Sequence, residues 1–443
     1  MELNATTIAA LATPPGRGGI AIVRISGPNA ESVLKEVFQP SGSKNLWESH
    51  YMMYGKVHDR GVSIDEAMAV LMRAPRSYTR EDVAELHVHG GEFLAQSVLK
   101  LLYSLGAIPA EPGEFTRRAF LNGRLDLSRA EAVMSIISAQ GERASRAAMR
   151  QLEGGAFSFV HGMQSTLLDM LSGVVAALDY PEEIDEVATA RQQASNARHL
   201  ASDLRAACDE RSARFLDEGM EVTIFGLPNV GKSSLFNALL LEDRAIVTDI
   251  PGTTRDVVCG SVIMGGIRVN LSDTAGIHDN SEVIEQIGVQ RALGSMQQAD
   301  LLLIVLDGAN PLSREAYALL NQTEGRPRII LQSKKDLNAE KYLDNAILFS
   351  AHTGEGLDDV RGAIAKVANV SEESQLTLER HMVLARHASQ ALDDATDAFE
   401  HNEPLDLCAV HLHEALHVLG RITGDRVDDD LLDSVFSNFC VGK

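Results

Sequence analysis

Val222-Thr-Ile-Phe-Gly226-Leu-Pro-Asn-Val-Gly231-Lys232-Ser233-Ser234 decides the reading of the middle of this chain. Residues 222–225 form a short apolar run, the next stretch is a complete Gly-x-x-x-x-Gly-Lys-Ser loop, and Ser234-Leu-Phe-Asn-Ala-Leu-Leu240 follows at helical spacing. The chemistry requires these residue types. Glycines leave the loop's N–H groups free to surround phosphate oxygens, Lys232 offers a cation to the β and γ phosphates, and the Ser233 hydroxyl can ligate magnesium. Outward from this loop, further apolar strands are predicted at 268–271, 301–306, 328–331 and 346–349, alternating with helical segments. That alternation predicts a parallel α/β sheet over about 220–368.

Four more elements follow the loop along the chain. Asp273-Thr-Ala-Gly276 ends the second strand, putting a carboxylate beside the loop and a glycine N–H where a γ-phosphate would sit. Thr253-Thr254 lies between the two and suits a switch whose hydroxyl completes the metal site. Ser333-Lys334-Lys335-Asp336 resembles the guanine-reading Asn-Lys-x-Asp element, in which the aspartate accepts hydrogen bonds from the guanine ring N–H and amino group. Ser350-Ala351 matches the backbone element that meets the guanine carbonyl oxygen. Their order and spacing resemble those of the Ras-like GTPases, and GTP is the expected substrate.

The 443 residues allow several domains, and 45% hydrophobic with 23% charged residues is a globular composition. With 40 Lys and Arg against 62 Asp and Glu, the net charge of −22 repels phosphate backbones at long range, so any nucleic-acid role must be local or partner-assisted. Cys208, Cys259, Cys408 and Cys440 are far apart with no Cys-x-x-Cys spacing, which fits a reducing compartment better than zinc or disulfide chemistry. The start of the chain lacks the basic and apolar regions of a signal peptide, and no stretch reaches the ~20 apolar residues of a membrane span. A cytoplasmic protein without a membrane role is expected.

Upstream, residues 1–120 read as an α/β domain: 20–25 form a strand after the turn Pro15-Gly-Arg-Gly-Gly19, and 81–89 alternate strictly. Val83, Glu85, His87 and His89 then share one face, with Ala84, Leu86 and Val88 on the other. His87-x-His89 lacks a third metal ligand, so a polar sheet face is the simpler reading. Residues 121–215 read as helical, opening with a capping box Ser128-Arg-Ala-Glu131 and breaking at Tyr180-Pro181. The nucleotide domain takes 216–370, and 371–443 return to helix, with Leu405, Leu412, Leu416 and Leu419 as one stripe and Asp428-Asp-Asp430 opening the last helix. The two helical pieces should pack together as one domain split by the inserted α/β domain, because neither has a second layer of its own. Seven Arg between Arg117 and Arg150 against Asp126, Glu131 and Glu142 mark the best candidate RNA-facing patch, with Arg143, Arg146 and Arg150 on one helix face.

Several blocks carry a more specific likeness: Ala12-Thr-Pro-Pro-Gly-Arg-Gly-Gly19, Pro112-Gly-Glu-Phe-Thr-Arg-Arg-Ala-Phe-Leu-Asn-Gly-Arg124, Asp249-Ile-Pro-Gly-Thr-Thr-Arg-Asp256, Glu285-Gln-Ile-Gly288 and Phe439-Cys-Val-Gly-Lys443. With the phosphate loop they resemble, from end to end, the MnmE (TrmE) family of tRNA modification GTPases, in the TrmE-Era-EngA-like group. The resemblance implies that the nucleotide also touches Val230, Ser234, Asp249, Pro251, Gly252, Thr274, Ala275 and Gly276. It implies magnesium at Ser233 and Thr254, and potassium at Asn229, Thr248, Ile250 and Thr253. Glu285 would position the attacking water; on its residue type alone it can also be read as an exposed first-turn carboxylate. The N-terminal domain would dimerise and hold a 5,10-methylene- or 5-formyl-tetrahydrofolate on Arg24, Glu85, Arg124 and Lys443. Arg24 can also be read as one half of a structural salt bridge, and Cys440 as a small residue or as a thiol with a chemical role. With an MnmG-type FAD protein, such a chain modifies carbon 5 of the wobble uridine of certain tRNAs to an aminomethyl or carboxymethylaminomethyl form. Ser333 departs from the family's usual Asn, and a shorter hydroxyl should replace only part of its work. Two alternatives remain: a ribosome-assembly GTPase switch, and a folate-dependent transferase whose GTPase domain is regulatory.

Overall fold

A computed structural model describes residues 6–42, 47–242, 258–273, 298–337, 341–371, 374–425, 427 and 429–442. The N-terminal portion contributes β1 (Ile8–Leu11), β2 (Ile20–Ser26), α1 (Ala30–Val37), β3 (Phe38–Pro40), β4 (Met52–Asp59), β5 (Val62–Met72), β6 (Val83–His89), α2 (Glu92–Ser104), β7 (Ile108–Pro109) and α3 (Glu114–Leu121). The strands form one sheet in the order β3-β4-β5-β6-β2-β1-β7, antiparallel except where β1 meets β7. Strand alternation sends Ala84, Leu86, Val88, Val23 and Ile25 into a core with Val33 and Leu34 of α1 and Val98 and Leu102 of α2. Truncating one of these leucines to Ala costs about 2–5 kcal/mol. The same alternation leaves Arg24, Glu85, His87 and His89 on the opposite face, with Arg24 and Glu85 in direct register.

The helical stretch is α4 (Leu127–Ser138), α5 (Glu142–Leu152), α6 (Gly155–Asp179), α7 (Glu186–Ala206) and α8 (Glu210–Asp217). The expected break at Tyr180-Pro181 separates α6 from α7, and further interruptions fall at Gly141 and Gly154, whose φ values of 151° and 101° suit glycine alone. The expected capping box is corrected. Ser128 lies inside α4, and Asp126 takes the cap instead, its Oδ1 accepting from the Arg129 N–H at 3.0 Å and from the Ser128 hydroxyl. A carboxylate there also meets the positive end of the helix dipole.

Four of the seven arginines of the basic run have acidic partners. Arg118 is fully buried and paired with Glu114 (2.7 Å) and Glu81 (3.1 Å), while Arg117 meets Asp433 (3.0 Å), Arg129 meets Asp126 (3.3 Å) and Arg146 pairs with Glu142. Asp126 and Glu142 already belong to the local charge count, whereas Glu81, Glu114 and Asp433 are further acids that take Arg117 and Arg118 out of the patch.

The nucleotide domain follows: β8 (Met220–Gly226), α9 (Lys232–Glu242), β9 (Val258–Met264), β10 (Ile267–Asp273), β11 (Leu301–Asp307), α10 (Arg314–Gln322), β12 (Arg328–Ser333), β13 (Ile347–Leu348) and α11 (Leu357–Val367). Its sheet runs β13-β12-β11-β8-β10-β9. All neighbours are parallel except the edge strand β9, which turns back on β10 and was absent from the all-parallel expectation. The turn is Gly265-Gly266, both at positive φ, the backbone that a two-residue hairpin requires. Leu301–Asp307 is buried on both faces, Leu303 and Val305 toward one core and Leu302, Ile304 and Leu306 toward the other. This double cover explains why that strand reads as a continuous apolar run.

The chain ends with α12 (Glu379–Glu400), α13 (Leu405–Thr423) and α14 (Asp429–Ser437). Two compact units result, neither continuous in sequence: Met1–Met134 with Gln151–Gln193 and Ala398–Lys443, and Ser135–Arg150 with Ala194–Asp397. In the first unit α13 packs along α6, burying Leu405, Cys408, Leu412, Ala415, Leu419 and Ile422, with Leu416 half-buried. In the second, Ser389 of α12 donates to the Ala201 carbonyl of α7 (3.4 Å), and Arg205 pairs with Asp393. Helices from before and after the nucleotide domain thus supply each other's second layer. Among the described residues no helix is long and apolar enough to cross a membrane.

Candidate functional site

The loop between β8 and α9 carries two left-handed residues, Asn229 (φ 59°) and Gly231 (φ 98°), which bend it around the helix N-terminus. Lys232 is only 7% exposed, and its ammonium donates to the Leu227 carbonyl at 2.9 Å. Burial pushes the Lys232 ammonium below its ordinary pKa, and the charge of Asp273 offsets part of that fall. The Ser233 hydroxyl donates to Asp273 Oδ2 at 2.7 Å, so a hydroxyl and a carboxylate meet at the end of β10. Hard oxygens of this kind are what magnesium takes.

Across the sheet, the Ser333 hydroxyl lies 2.6 Å from the Val230 carbonyl and 3.1 Å from that of Leu306, tying the end of β12 to the phosphate loop. Lys334 (φ 62°) pairs with Asp307 at 2.8 Å. The Asp336 carboxyl is held below its usual range by the Ser350 hydroxyl and then by its own backbone N–H. An ionised, exposed Asp336 is an acceptor for paired N–H donors. Asn229, Gly231, Ser234, Asn237, Lys334, Asp336, Ser350 and Ala351 line one cleft of about 470 Å³.

A second cluster forms on the open face of the N-terminal sheet. Glu85 accepts from Arg24 Nε at 2.8 Å on one oxygen and contacts His87 Nε2 at 3.2 Å on the other. Arg24 also donates to the Gly442 carbonyl (3.3 Å) and lies against the rings of Tyr78 and Phe115, 5.6 and 5.7 Å from their centres. Arg124 lies 4.6 Å from the centre of the Tyr78 ring and donates to the Tyr78 carbonyl at 2.8 Å. The terminal tail is held here by Val441, which bridges Pro112, and by the Cys440 carbonyl, which accepts from Gly113 N–H at 3.4 Å. Gly442 (φ 96°) passes so close to the chain that a Cβ would stand 2.2 Å from the Leu11 carbonyl oxygen. His89 turns to Asp65 at 2.7 Å, so the two histidines serve different acids. No group of three His, Cys, Asp or Glu suited to a metal occurs among the described residues.

A family model described as the GTP-binding protein TrmE N-terminus matches residues 7–124, and one described as the MnmE helical domain matches 127–440. The tRNA modification GTPase MnmE of Synechococcus sp. (strain RCC307) is 42% identical over 99% of this chain and 98% of its own length. That of Syntrophotalea carbinolica is 41% identical over the whole of both chains. This chain belongs to the MnmE family of tRNA modification GTPases. As an MnmE-type protein it is a GTP hydrolase, with GTP as substrate and a function in tRNA modification.

Of the residues expected to serve an MnmE-type chain, Asn229, Val230, Gly231, Lys232, Ser233, Ser234, Asp273, Lys334, Asp336, Ser350 and Ala351 belong to the loop and cleft just described. Arg24, Glu85 and Arg124 converge in the second cluster, and Cys440 is exposed in the tail beside it. Thr248, Asp249, Ile250, Pro251, Gly252, Thr253, Thr254, Thr274, Ala275, Gly276, Glu285 and Lys443 lie outside the described residues. The Ser333 hydroxyl reaches the phosphate loop carbonyl directly, which supplies the loop-tying part of the usual Asn's work. Sequence reasoning missed Asp307 and Tyr78. Asp307 had a signal, standing at the carboxyl end of a parallel strand where α/β sheets bind ligands. Tyr78 had none beyond being an aromatic in a loop.

Proposed function

We propose that this chain is a potassium-dependent GTPase that, with an MnmG-type FAD protein, modifies carbon 5 of the wobble uridine of certain tRNAs to an aminomethyl or carboxymethylaminomethyl form. The observation that carries the reading is the meeting of Arg24, Glu85 and Arg124 with the docked tail at Gly442, in a chain that also holds a guanine-nucleotide site. The donor set suits a tetrahydrofolate: a carboxylate offers paired oxygens to a pterin's adjacent N–H groups, and guanidiniums suit its carboxylate tail. A bound methylene- or formyl-tetrahydrofolate would supply the one-carbon unit, with Lys443 as a further ligand. The chain acts as a homodimer in the cytoplasm on this reading.

At the nucleotide, Lys232 would meet the phosphates, Ser233 and Thr254 would hold magnesium, and Asp336 with Ser350 and Ala351 would select guanine. Asn229 carries its amide at a left-handed bend of the phosphate loop and would hold potassium with Thr248, Ile250 and Thr253. A fixed monovalent cation there offsets charge that develops on phosphoryl transfer, the work an arginine finger does elsewhere. Glu285 holds the attacking water. The nucleotide domains of the two protomers would close on GTP and potassium and reopen after hydrolysis, which orders the cycle.

The test is GTP hydrolysis by the full chain in matched potassium and sodium buffers, with Glu285→Ala beside it. Turnover should be at least roughly ten-fold faster in potassium, and Glu285→Ala should abolish most of it. Equal rates in the two salts would remove the cation mechanism.

A further inference from the structure

Arg24 and Arg124 come from distant segments, yet both guanidiniums lie over the ring of Tyr78, at 5.6 and 4.6 Å from its centre. Two cations gathered at one ring repel each other, and the repulsion grows where water is partly excluded. Glu85 neutralises Arg24 at 2.8 Å. Arg124 is placed differently: its side-chain hydrogen bond goes to the Tyr78 carbonyl and its ring contact to the Tyr78 ring. An aromatic face attracts each cation through its quadrupole, so one residue holds Arg124 by backbone and ring together and steadies Arg24 by the ring.

Tyr78 is itself held fast. Its hydroxyl shares a hydrogen bond with Thr116 Oγ1 at 2.9 Å, and Thr116 is fully buried. The ring packs against the cluster of Ile8, Ala10, Ala110 and Phe115 beneath the sheet edge. The exposed Arg124 would otherwise explore many rotamers, and a ligand would have to order it on arrival.

We propose that Tyr78 is the positioning residue of the N-terminal site, holding Arg24 and Arg124 in place so that an anionic, flat-ringed one-carbon carrier meets two fixed guanidiniums beside Glu85. The inference rests on the one-carbon reading of this site given above. Tyr78 acts through the arginines, so its contribution depends on their presence.

The experiment is calorimetric titration of the full chain with 5-formyl-tetrahydrofolate. Tyr78→Phe keeps the ring and should bind within about two-fold of the unaltered chain, whereas Tyr78→Leu should bind roughly ten-fold more weakly. In an Arg124→Gln background the same Tyr78→Leu change should cost at least about three-fold less, a coupling that a merely structural tyrosine would not show. Thermal unfolding verifies each variant's fold, and Tyr78→Met, which keeps volume without an aromatic face, takes the place of Tyr78→Leu if that variant does not fold. Equal affinity without the ring, or a loss that is undiminished without Arg124, overturns the role of Tyr78 alone. No uptake by the unaltered chain overturns the one-carbon reading, and this role with it.

Discussion

Around Lys232, the groups that face the nucleotide cleft come from two continuous stretches, one being the strand, loop and helix running 220–242, the other the end of β12 and the segments after β12 and β13 that close the far side. Around Tyr78 the groups come singly: Arg24 from β2, Glu85 from β6, Phe115 from α3, Arg124 from the turn after it and Gly442 from the far end of the chain. Phosphate recognition relies on backbone N–H groups, which a short loop can aim by itself. The cluster proposed to take a flat, polar ring relies on side chains spaced across a sheet, so no short segment can contain it. The first kind of site leaves a motif, and the second leaves scattered residues whose meaning appears only after folding.

The largest expected effect tests whether the two sites are built independently. Lys232→Ala should lower kcat/KM for GTP by about a hundred-fold or more, because the buried cation at the phosphates is lost. Uptake of 5-formyl-tetrahydrofolate should be unchanged in the same protein, and a parallel loss would break the contrast drawn above. A smaller effect is expected at Ser333, where Ala removes one hydroxyl tie between β12 and the phosphate loop. The dissociation constant for GDP should rise by roughly five-fold, the size of one hydrogen bond in a buried setting. An unchanged constant would mean that the loop holds its shape without help from β12.

The smallest effect belongs to the N-terminal sheet. The Glu31 carboxyl is held at about 2, down from 4.5, first by its hydrogen bond with Arg73 and then by Lys35. Its folded value lies below the unfolded one, so the stability it contributes is present above about pH 4.5 and disappears as pH falls toward 2. Arg73→Ala should therefore destabilise the chain slightly at pH 7, by under about 1 kcal/mol for so exposed a pair, and markedly less near pH 2. Trp47 is the sole tryptophan and packs on this domain's core, so its fluorescence during denaturant unfolding reports the change. A difference that grew toward low pH would contradict the assignment.

Particular residues show where reading along the chain stops being sufficient. Strands with strong apolar runs, such as Leu301–Asp307, and the alternating Val83–His89 were legible because burial on two faces or one writes a pattern into neighbouring positions. Strand β9, Val258-Cys-Gly-Ser-Val-Ile-Met264, escaped because an edge strand with a glycine carries a weak pattern and takes its register from β10. Ser128 and Asp126 both suit a helix cap, and the helix's first turn settled on the carboxylate. Arg118 counted as surface charge until Glu81 and Glu114 were found around it.

A GTP-hydrolysing α/β domain set inside a split helical one, with an N-terminal sheet ahead of it, follows from local order: loop glycines, helical stripes and strand alternation act between near neighbours. Which arginines are neutralised, how the tail lies against Leu11 and Pro112, and how Tyr78 gathers Arg24 and Arg124 were decided only in three dimensions. Each of those depends on bringing distant segments within a few ångströms, and the energy that does so is spread over a core that no single stretch of sequence contains.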